Sequence, residues 1–228
     1  MPSDFPGTRT ALDAVLFDFD GVLIESVDIK TTVFRELFAD HPEHAQAIAA
    51  LHEAHGGISR YVKFDMIYRD ILRRPLAPNE RADLGRRFAE KVVEQTVACP
   101  MVAGARAALD ALLGRLPLAV VSGTPDAELK HIVERRNLAR YFVEVSGSPR
   151  SKAEIIGDMA ERKGWRRDRM VLVGDAMTDC DAAEACGLSF IGRVAGGRRS
   201  PFPPGTCVIA DLTEFPEALS GAAKVATP

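Results

Sequence analysis

Four short polar clusters contain the residues that could carry out chemistry. They are Asp18-Phe19-Asp20-Gly21, Ser122-Gly123-Thr124, the single residue Lys152, and Gly174-Asp175 with Asp179. Carboxylates brought together in one crevice would repel each other strongly unless a cation neutralised them. Oxygen ligands favour a hard ion such as Mg²⁺ over softer metals. The residue types therefore predict a Mg²⁺ site formed by carboxylates.

The first cluster could supply both a nucleophile and an acid. A carboxylate can attack phosphorus when Mg²⁺ and Lys152 screen the negative charge on nucleophile and phosphate. Residues two apart on an extended segment project the same way, so Asp18 and Asp20 can both face a phosphate. Asp20 would protonate the leaving alcohol and later deprotonate the attacking water. The phosphoryl oxygens would be held by a hydroxyl and backbone N–H groups of the second cluster, Ser122, Gly123 and Thr124.

A parallel sheet would bring these clusters together. Short apolar runs typical of buried strands occur at 11–17, 118–121, 141–145, 170–173 and 190–191, with a weak one at 207–210. From about residue 103 onward they alternate with helical patterns, which predicts a doubly wound, Rossmann-like α/β sheet. Ligands bind such sheets at the carboxyl ends of the strands, where the four clusters lie.

Two helices of this core have predictable beginnings. Thr124 is expected to cap a helix that has Pro125 at its first position. Ser151 and Glu154 are expected to form a capping box for a helix that ends near Gly164. Lys152 would then lie in the first turn of that helix, where it opposes the helix dipole, so a phosphate partner accounts for it better.

The segment between the first and second strands predicts an inserted domain. It has roughly 80 residues without a convincing strand, far more than a crossover helix requires. Its apolar positions keep helical spacing, as in Phe64, Ile67, Tyr68 and Ile71 or in Leu84, Phe88 and Val92. We predict a cap of about four helices at residues 25–100, inserted into an α/β core of residues 1–24 and 101–228.

The clusters resemble, in order and spacing, the four motifs of the haloacid dehalogenase-like superfamily. The matching segments are FDFDGVLIES at 17–26, VSGT at 121–124, Lys152, and GDAMTDCDAA at 174–183. The helical insertion resembles the small cap of the beta-phosphoglucomutase and phosphoglycolate phosphatase group. Dehalogenases and phosphonate-cleaving relatives lack an acid at the position of Asp20, so the resemblance implies phosphoryl transfer.

The resemblance also implies a role for each motif residue. Asp18 would be the nucleophile and Asp20 the general acid and base, while Ser122 and Lys152 would contact the phosphate. The metal ligands would be Asp18, the backbone carbonyl of Asp20, Asp175 and, directly or through water, Asp179.

The loop in the middle of the cap is a candidate for reading the substrate. Residues 56–60, GGISR, resemble the specificity loop of mutase-like relatives, in which flexible backbone and an arginine face the active site. His55, Gly56 and Arg60 would then contact the substrate. Two alternatives remain open, because Ser59 could serve only to cap the next helix and Arg60 could be solvated.

Composition excludes several other classes of protein. Lys and Arg total 29 against 32 Asp and Glu, so the net charge of -3 provides no basic field for nucleic acid. The four cysteines lack the spacing of a zinc site or disulfide framework and are expected to be free thiols. No apolar run approaches the ~20 residues of a membrane span, and residues 1–10 do not resemble a signal peptide. We expect a cytoplasmic monomer or homodimer with no nucleic-acid or membrane partner.

These observations predict a Mg²⁺-dependent phosphatase that hydrolyses a small phosphomonoester, such as a sugar phosphate, through an aspartyl-phosphate on Asp18. The alternative is a sugar phosphomutase, which uses the same core residues but must protect its intermediate from water. A receiver-type phosphoacceptor domain would be about half this length and would carry no cap. A non-catalytic binding scaffold would be expected to have lost at least one of the four clusters.

Overall fold

The computed structural model describes residues 12–225, and its core is a parallel β-sheet. The six strands of the described residues are β1 (Ala14–Phe17), β2 (Leu118–Pro125), β3 (Glu144–Ser148), β4 (Met170–Gly174), β5 (Ser189–Arg193) and β6 (Cys207–Ile209). Their order is β3-β2-β1-β4-β5-β6 and every neighbouring pair is parallel. The strand order therefore reverses at β1, which is where open sheets bind ligands. Residues 1–11, including the first residue of the run at 11–17, lie outside the described residues.

Nine helices accompany this sheet within the described residues. Four lie in the segment between β1 and residue 100: α1 (Val27–Leu37), α2 (Ala45–Ala54), α3 (Arg60–Met66) and α4 (Pro78–Ala98). The others are α5 (Ala105–Leu112), α6 (Asp126–Arg135), α7 (Lys152–Lys163), α8 (Met177–Cys186) and α9 (Phe215–Val225). Between residues 12 and 225, no helix is both long enough and apolar enough to cross a membrane.

The central strand β1 is buried on both faces. Val15 and Phe17 pack into one hydrophobic cluster with residues of α5, α6 and α9. Ala14 and Leu16 pack into a second cluster with residues of α7 and α8. Helices therefore cover the sheet on both sides, and this explains why β1 is a continuous apolar run rather than an alternating one.

The helices α1–α4 form a cap with its own aromatic core. Phe34, Phe64 and Phe88 pack against one another, with ring centroids 5.0 Å apart for Phe34 and Phe88. The centroids of Phe34 and Phe64 are 5.7 Å apart. Burial of these rings accounts for the helical spacing of the apolar residues in this segment.

The two chain segments that join cap and core lie side by side. Ile24 and Met101 form an isolated antiparallel bridge. The Glu25 N–H donates to Pro100 O at 3.0 Å, and the Val102 N–H donates to Leu23 O at 3.1 Å. The cap is therefore attached through one narrow, hydrogen-bonded junction.

The predicted fold class, a Rossmann-like core with an inserted helical cap, is confirmed. The structure also bears out the capping box, since Glu154 N–H donates to Ser151 Oγ at 3.2 Å and the helix ends at Gly164. The domain boundaries at residues 25 and 100 stay a prediction.

Several predicted elements begin elsewhere. The first strand begins at Ala14 rather than at residue 11, since Leu12 and Asp13 lie before it. The third strand starts at Glu144 rather than at residue 141, because Ala139–Tyr141 form a short 3₁₀ turn. Thr124 does not cap a helix, since β2 continues to Pro125 and α6 begins at Asp126. Its hydroxyl instead donates to a carboxylate in the site described next.

Candidate active site

Three carboxylates meet at the carboxyl ends of β1 and β4. Asp18 follows β1, Asp175 follows β4, and Asp179 lies in the first turn of α8. One carboxylate oxygen from each of the three residues lies within 4.8 Å of the other two. The two strands are direct neighbours in the sheet, which places the first two residues at the same edge. Asp179 is fixed there because it accepts a hydrogen bond from the Ala176 N–H at 3.3 Å.

One ammonium group, that of Lys152, is hydrogen-bonded to this cluster. Lys152, the first residue of α7, donates to Asp18 Oδ2 at 2.7 Å and to Asp179 Oδ1 at 2.5 Å. Burial alone would lower the pKa of Lys152, but Asp179 and Asp18 raise it above its ordinary value. The lysine is therefore charged and neutralises part of the cluster.

The remaining negative charge of the cluster is not balanced. Burial raises the pKa of Asp175 well above its ordinary value, and the charges of Asp18 and Asp179 raise it further. Burial also raises the pKa of Asp179 to about 7. An all-oxygen donor set with surplus negative charge is the environment that hard divalent cations prefer. The three carboxylates therefore fit a Mg²⁺ ion.

Asp20 belongs to a separate hydrogen-bond network. Its Oδ1 accepts from Ser26 Oγ at 2.5 Å, and its Oδ2 accepts from Lys30 Nζ at 2.5 Å and Thr124 Oγ1 at 2.8 Å. Ser122 Oγ lies 3.5 Å from the same Oδ2. Burial alone would raise the pKa of Asp20, but Lys30 and the hydroxyl donors hold it below its ordinary value. Asp20 is therefore a carboxylate in this arrangement.

Lys30 was not identified from the sequence. It lies on α1 of the cap, and it also donates to Thr124 Oγ1 at 2.7 Å. Ser26 and Lys30 are four residues apart, so they lie on the same side of the helix that follows the first motif. That spacing is the only signal the sequence offers for this contact.

The Gly56-Gly57 loop of the cap lies against the strand ends of the core. Thr178 Oγ1 donates to Gly56 O at 3.0 Å. Gly57 has φ +77°, and a Cβ on it would lie 2.2 Å from Thr178 Oγ1. A Cβ on Gly123, near the carboxyl end of β2, would lie 2.3 Å from Gly57 O. Backbone therefore meets backbone between cap and core, and any side chain at these positions would separate them.

Arg60 is buried between cap and core rather than solvated. It is 5% exposed, and its Nη2 donates to Glu128 of α6. Its guanidinium carbon lies 4.3 Å from the ring centroid of Phe88. Ser59 precedes α3 but makes no capping hydrogen bond with its side chain. The alternative that Arg60 is solvated is therefore wrong. Ser59 does lie at the N-cap position of α3, where its backbone carbonyl accepts from the Lys63 N–H at 3.3 Å. Contact of Arg60 with substrate stays a prediction.

Cap and core together enclose a cavity of about 630 Å³. The core contributes, among others, Asp18, Asp20, Asp175 and the cluster Ser122, Gly123 and Thr124. The cap contributes, among others, Gly56, Gly57 and Arg60, together with Lys30, His52 and Lys63, for which the sequence predicted no contact with substrate. His55, which ends α2, does not line this cavity, and His52 lies there instead.

Arg193 supports the loop that follows the first motif. It is buried at the end of β5, and it donates to Gly21 O at 3.1 Å and to Ala210 O at 3.0 Å. Its Nη2 also donates to Glu25 Oε1 at 2.7 Å. Glu25 is therefore held by a charged pair at the start of the cap connection.

A comparison with protein families decides what kind of protein this is. The family model described as haloacid dehalogenase-like hydrolase matches residues 12–187, well over half of the chain. The chain belongs to this family. The predicted resemblance and the prediction of a hydrolytic enzyme are confirmed.

One curated relative and several solved structures resemble the chain over most of its length. A phosphoglycolate phosphatase of Synechococcus elongatus is 28% identical over 187 residues, which are 78% of this chain and 81% of that protein. A predicted phosphoglycolate phosphatase from Haemophilus somnus superposes with a TM-score of 0.72 at 17% identity, over 92% of this chain and 99% of that one. A beta-phosphoglucomutase from Clostridium difficile superposes with a TM-score of 0.76 at 15% identity, over 93% and 97%. At 17% and 15% identity, these two superpositions show that the chain shares the fold of both structures, and nothing more.

Proposed function

We propose that the protein is a Mg²⁺-dependent phosphatase that hydrolyses a small phosphomonoester through an aspartyl-phosphate on Asp18. One observation carries the proposal. Asp18 is 2% exposed, and it has one oxygen fixed by the Phe19 N–H at 2.6 Å and the other by Lys152 at 2.7 Å. A carboxylate held this way at the edge of a cavity is oriented for attack on a bound phosphate.

Asp18, Asp175 and Asp179 would hold Mg²⁺ together with the backbone carbonyl of Asp20. The ion would supply positive charge that allows an anionic nucleophile to approach an anionic phosphate. Lys152 would contribute the same kind of screening, because it is buried, charged and hydrogen-bonded to Asp18. Ser122, Gly123 and Thr124 would donate to the phosphoryl oxygens from the end of β2.

The residues account for both halves of the reaction. An Asp18 oxygen forms a bond to phosphorus while the bond to the leaving oxygen breaks, and Asp20 donates a proton to that oxygen. Asp20 then accepts a proton from water as the water oxygen attacks phosphorus and the bond to Asp18 breaks. The products are an alcohol and inorganic phosphate, and Asp20 regains its proton.

The acid half of this role requires Asp20 to release Lys30. While the ammonium is bound, it keeps Asp20 ionised. The oxygens of a bound phosphate are anionic and compete for the same ammonium, and Asp20 is then free to hold a proton.

Hydrolysis is favoured over phosphoryl return to a sugar. The curated relative from Synechococcus elongatus and several other curated relatives carry the name phosphoglycolate phosphatase. The likeness to beta-phosphoglucomutase rests on the fold alone. We further infer a cytoplasmic monomer or homodimer acting on a small phosphorylated metabolite, since all four cysteines are free thiols, as suits a reducing compartment.

Phosphate release in the presence of Mg²⁺ tests this function, with glycolate-type phosphates, sugar phosphates, polyol phosphates and nucleotides as substrates. The Asp18→Asn variant is nearly isosteric and removes the attacking charge, so we expect its turnover to fall below detection with an unchanged circular dichroism spectrum. Unchanged kcat in the variant, once deamidation is excluded by mass spectrometry, would assign the nucleophile to another residue. Full turnover of the wild-type enzyme after dialysis against excess EDTA would contradict the proposed dependence of activity on Mg²⁺.

A further inference from the structure

One cation that lines the cavity has no carboxylate partner. The other lining cations are each paired with an acid: Lys30 with Asp20, Arg35 with Glu53, Arg60 with Glu128, and Arg198 with Asp28. Lys63 of α3 lines the same cavity and is 5% exposed. Within residues 12–225, no carboxylate oxygen lies within 4.0 Å of its Nζ. Its charge is therefore not matched locally by the protein.

Neutral groups hold Lys63 in place. Its Nζ lies 3.2 Å from His52 Nδ1 and donates to His52 O at 3.3 Å. Burial and, to a lesser extent, the charge of Lys63 lower the pKa of His52 to about 3, so the imidazole is neutral. His52 Nε2 lies 3.3 Å from Thr31 Oγ1, which suits a tautomer with the proton on Nε2 and a free acceptor on Nδ1. Two of the three ammonium N–H bonds are used in this way.

This arrangement is unfavourable for the protein by itself. Burial and, to a lesser extent, the charge of Lys30 lower the pKa of Lys63 to about 7. Asp20 and Asp175 act in the opposite direction, and they are close enough for their charges to matter. A buried ammonium without a counterion destabilises a fold, and an anion in the cavity would remove that penalty.

We propose that Lys63, positioned by His52, binds a second anionic group of the substrate, a carboxylate or a second phosphate, while the core holds the phosphoryl group that is transferred. This inference rests on the proposed phosphatase function and names its substrate class. The second group would lie on the cap side of the cavity, beside the α1 and α3 side chains. Arg60 is less suited to this task, because Glu128 already neutralises it.

Matched substrates test the proposal. Phosphoglycolate is compared with ethyl phosphate, and fructose 1,6-bisphosphate with fructose 6-phosphate. In each pair only the first compound has a second anionic group. We expect kcat/KM to favour that compound in one of the two pairs. A preference in the first pair indicates that the second group is a carboxylate, and a preference in the second pair indicates a phosphate. In Lys63→Met, kcat/KM for the compound with the second anionic group, divided by kcat/KM for its partner, should fall about ten- to a hundredfold. This is the effect of losing one hydrogen bond to a charged group.

Lys91→Met is the matched control. Lys91 lies on α4 of the cap, pairs with Glu36 and is outside the cavity, so its loss removes the same charge from the same domain. The control should keep the wild-type ratio. A wild-type ratio near one for both pairs would overturn the proposal, and so would a ratio that Lys63→Met leaves unchanged. Should Lys63→Met fail to fold, Lys63→Gln takes its place in the same comparison.

Failure of the phosphatase function gives a different result. In that case neither member of either pair is hydrolysed. Calorimetric titration with phosphoglycolate and ethyl phosphate then decides the Lys63 proposal on its own. Tighter binding of phosphoglycolate that is lost in Lys63→Met supports it, and equal binding of the two compounds overturns it.

Discussion

Individual side chains in the cavity differ in how their charge is balanced. Lys152 and Lys30 each bind a carboxylate, whereas Lys63 is held by the neutral His52. The first two charges stabilise the folded site, but the third opposes folding because its burial is uncompensated. A residue that destabilises the fold and faces a cavity is expected to be kept for function.

This difference predicts how Lys63→Met changes stability with pH. The pKa of Lys63 falls from 10.5 to about 7 on folding, so below pH 7 the burial penalty is complete. Between pH 7 and 10.5 the unfolded chain binds more protons than the folded one, and the penalty disappears as pH rises. Differential scanning calorimetry should show the variant melting above the wild type, with the largest difference below pH 7 and none near pH 10.5. Each kcal/mol corresponds to about 2–4 °C.

The groups facing Lys63 do not reverse this expectation. His52 stays neutral across the range because its pKa is about 3, and Lys30, Asp20 and Asp175 are present in both proteins. Lys91→Met, which removes an exposed charge, should show no such dependence. A stability difference for Lys63→Met that is constant from pH 6 to pH 10 would show that packing, rather than charge, sets it.

For individual residues, the sequence predicts which side chains come close together when they follow neighbouring strands of the sheet. Asp18 and Asp175 follow apolar runs that pair in the sheet, so their proximity could be predicted, although their roles stay predictions. Lys30 and Lys63 could not be found in the same way. Each lies on a cap helix, and whether its polar side chain faces water or the cavity depends on how the cap is docked.

Among the elements, the Gly56-Gly57 loop determines how closely the cap approaches the core. A Cβ on Gly57 would lie 2.2 Å from Thr178 Oγ1 and 3.3 Å from Lys152 Nζ. The sequence predicted a loop at residues 56–60 in the middle of the cap. It could not predict that the backbone of this loop packs on the end of β2 and the start of α8, because that contact joins segments far apart in the chain.

Gly57→Ala should therefore impair catalysis as well as stability. Alanine in the left-handed region costs about 1–2 kcal/mol, and here its methyl group would also push the cap loop away from Thr178. We expect kcat/KM to fall by about tenfold or more, measured with the best substrate.

Gly114→Ala provides the control for backbone strain. Gly114 has φ +73° and no heavy atom within 4 Å of an added Cβ. This variant should lose a similar amount of stability while keeping its kcat/KM. Equal loss of activity in the two variants would mean that general destabilisation, and not cap docking, is responsible.

For the molecule as a whole, the unbalanced carboxylates link metal binding to folding. Asp18, Asp175 and Asp179 repel one another in the folded state only, because the unfolded chain separates them. The fold class followed from the alternation of strand and helix patterns, whereas the site of this repulsion needed the three-dimensional structure.

Mg²⁺ should therefore raise the melting temperature. At a concentration a hundred times Kd, the added stability is about 2.7 kcal/mol, or about 5–10 °C for a chain of this size. Thermal denaturation with and without Mg²⁺ measures the shift, and Asp175→Asn should reduce it strongly. A wild-type melting temperature that does not respond to Mg²⁺ up to millimolar concentrations would contradict the predicted site.

The junction between cap and core has a mechanical consequence. The two connecting segments are hydrogen-bonded to each other through Ile24 and Met101, and through Glu25 and Pro100, so they act together as a single hinge. Sliding or twisting the cap relative to the core would break these hydrogen bonds, whereas rotation of the cap about the hinge keeps them. The cap therefore has one easy direction of motion. Arg60 of the cap and Glu128 of the core form a buried ion pair, and Lys30 of the cap is paired with Asp20 of the core, so opening of the cap requires that both pairs be separated.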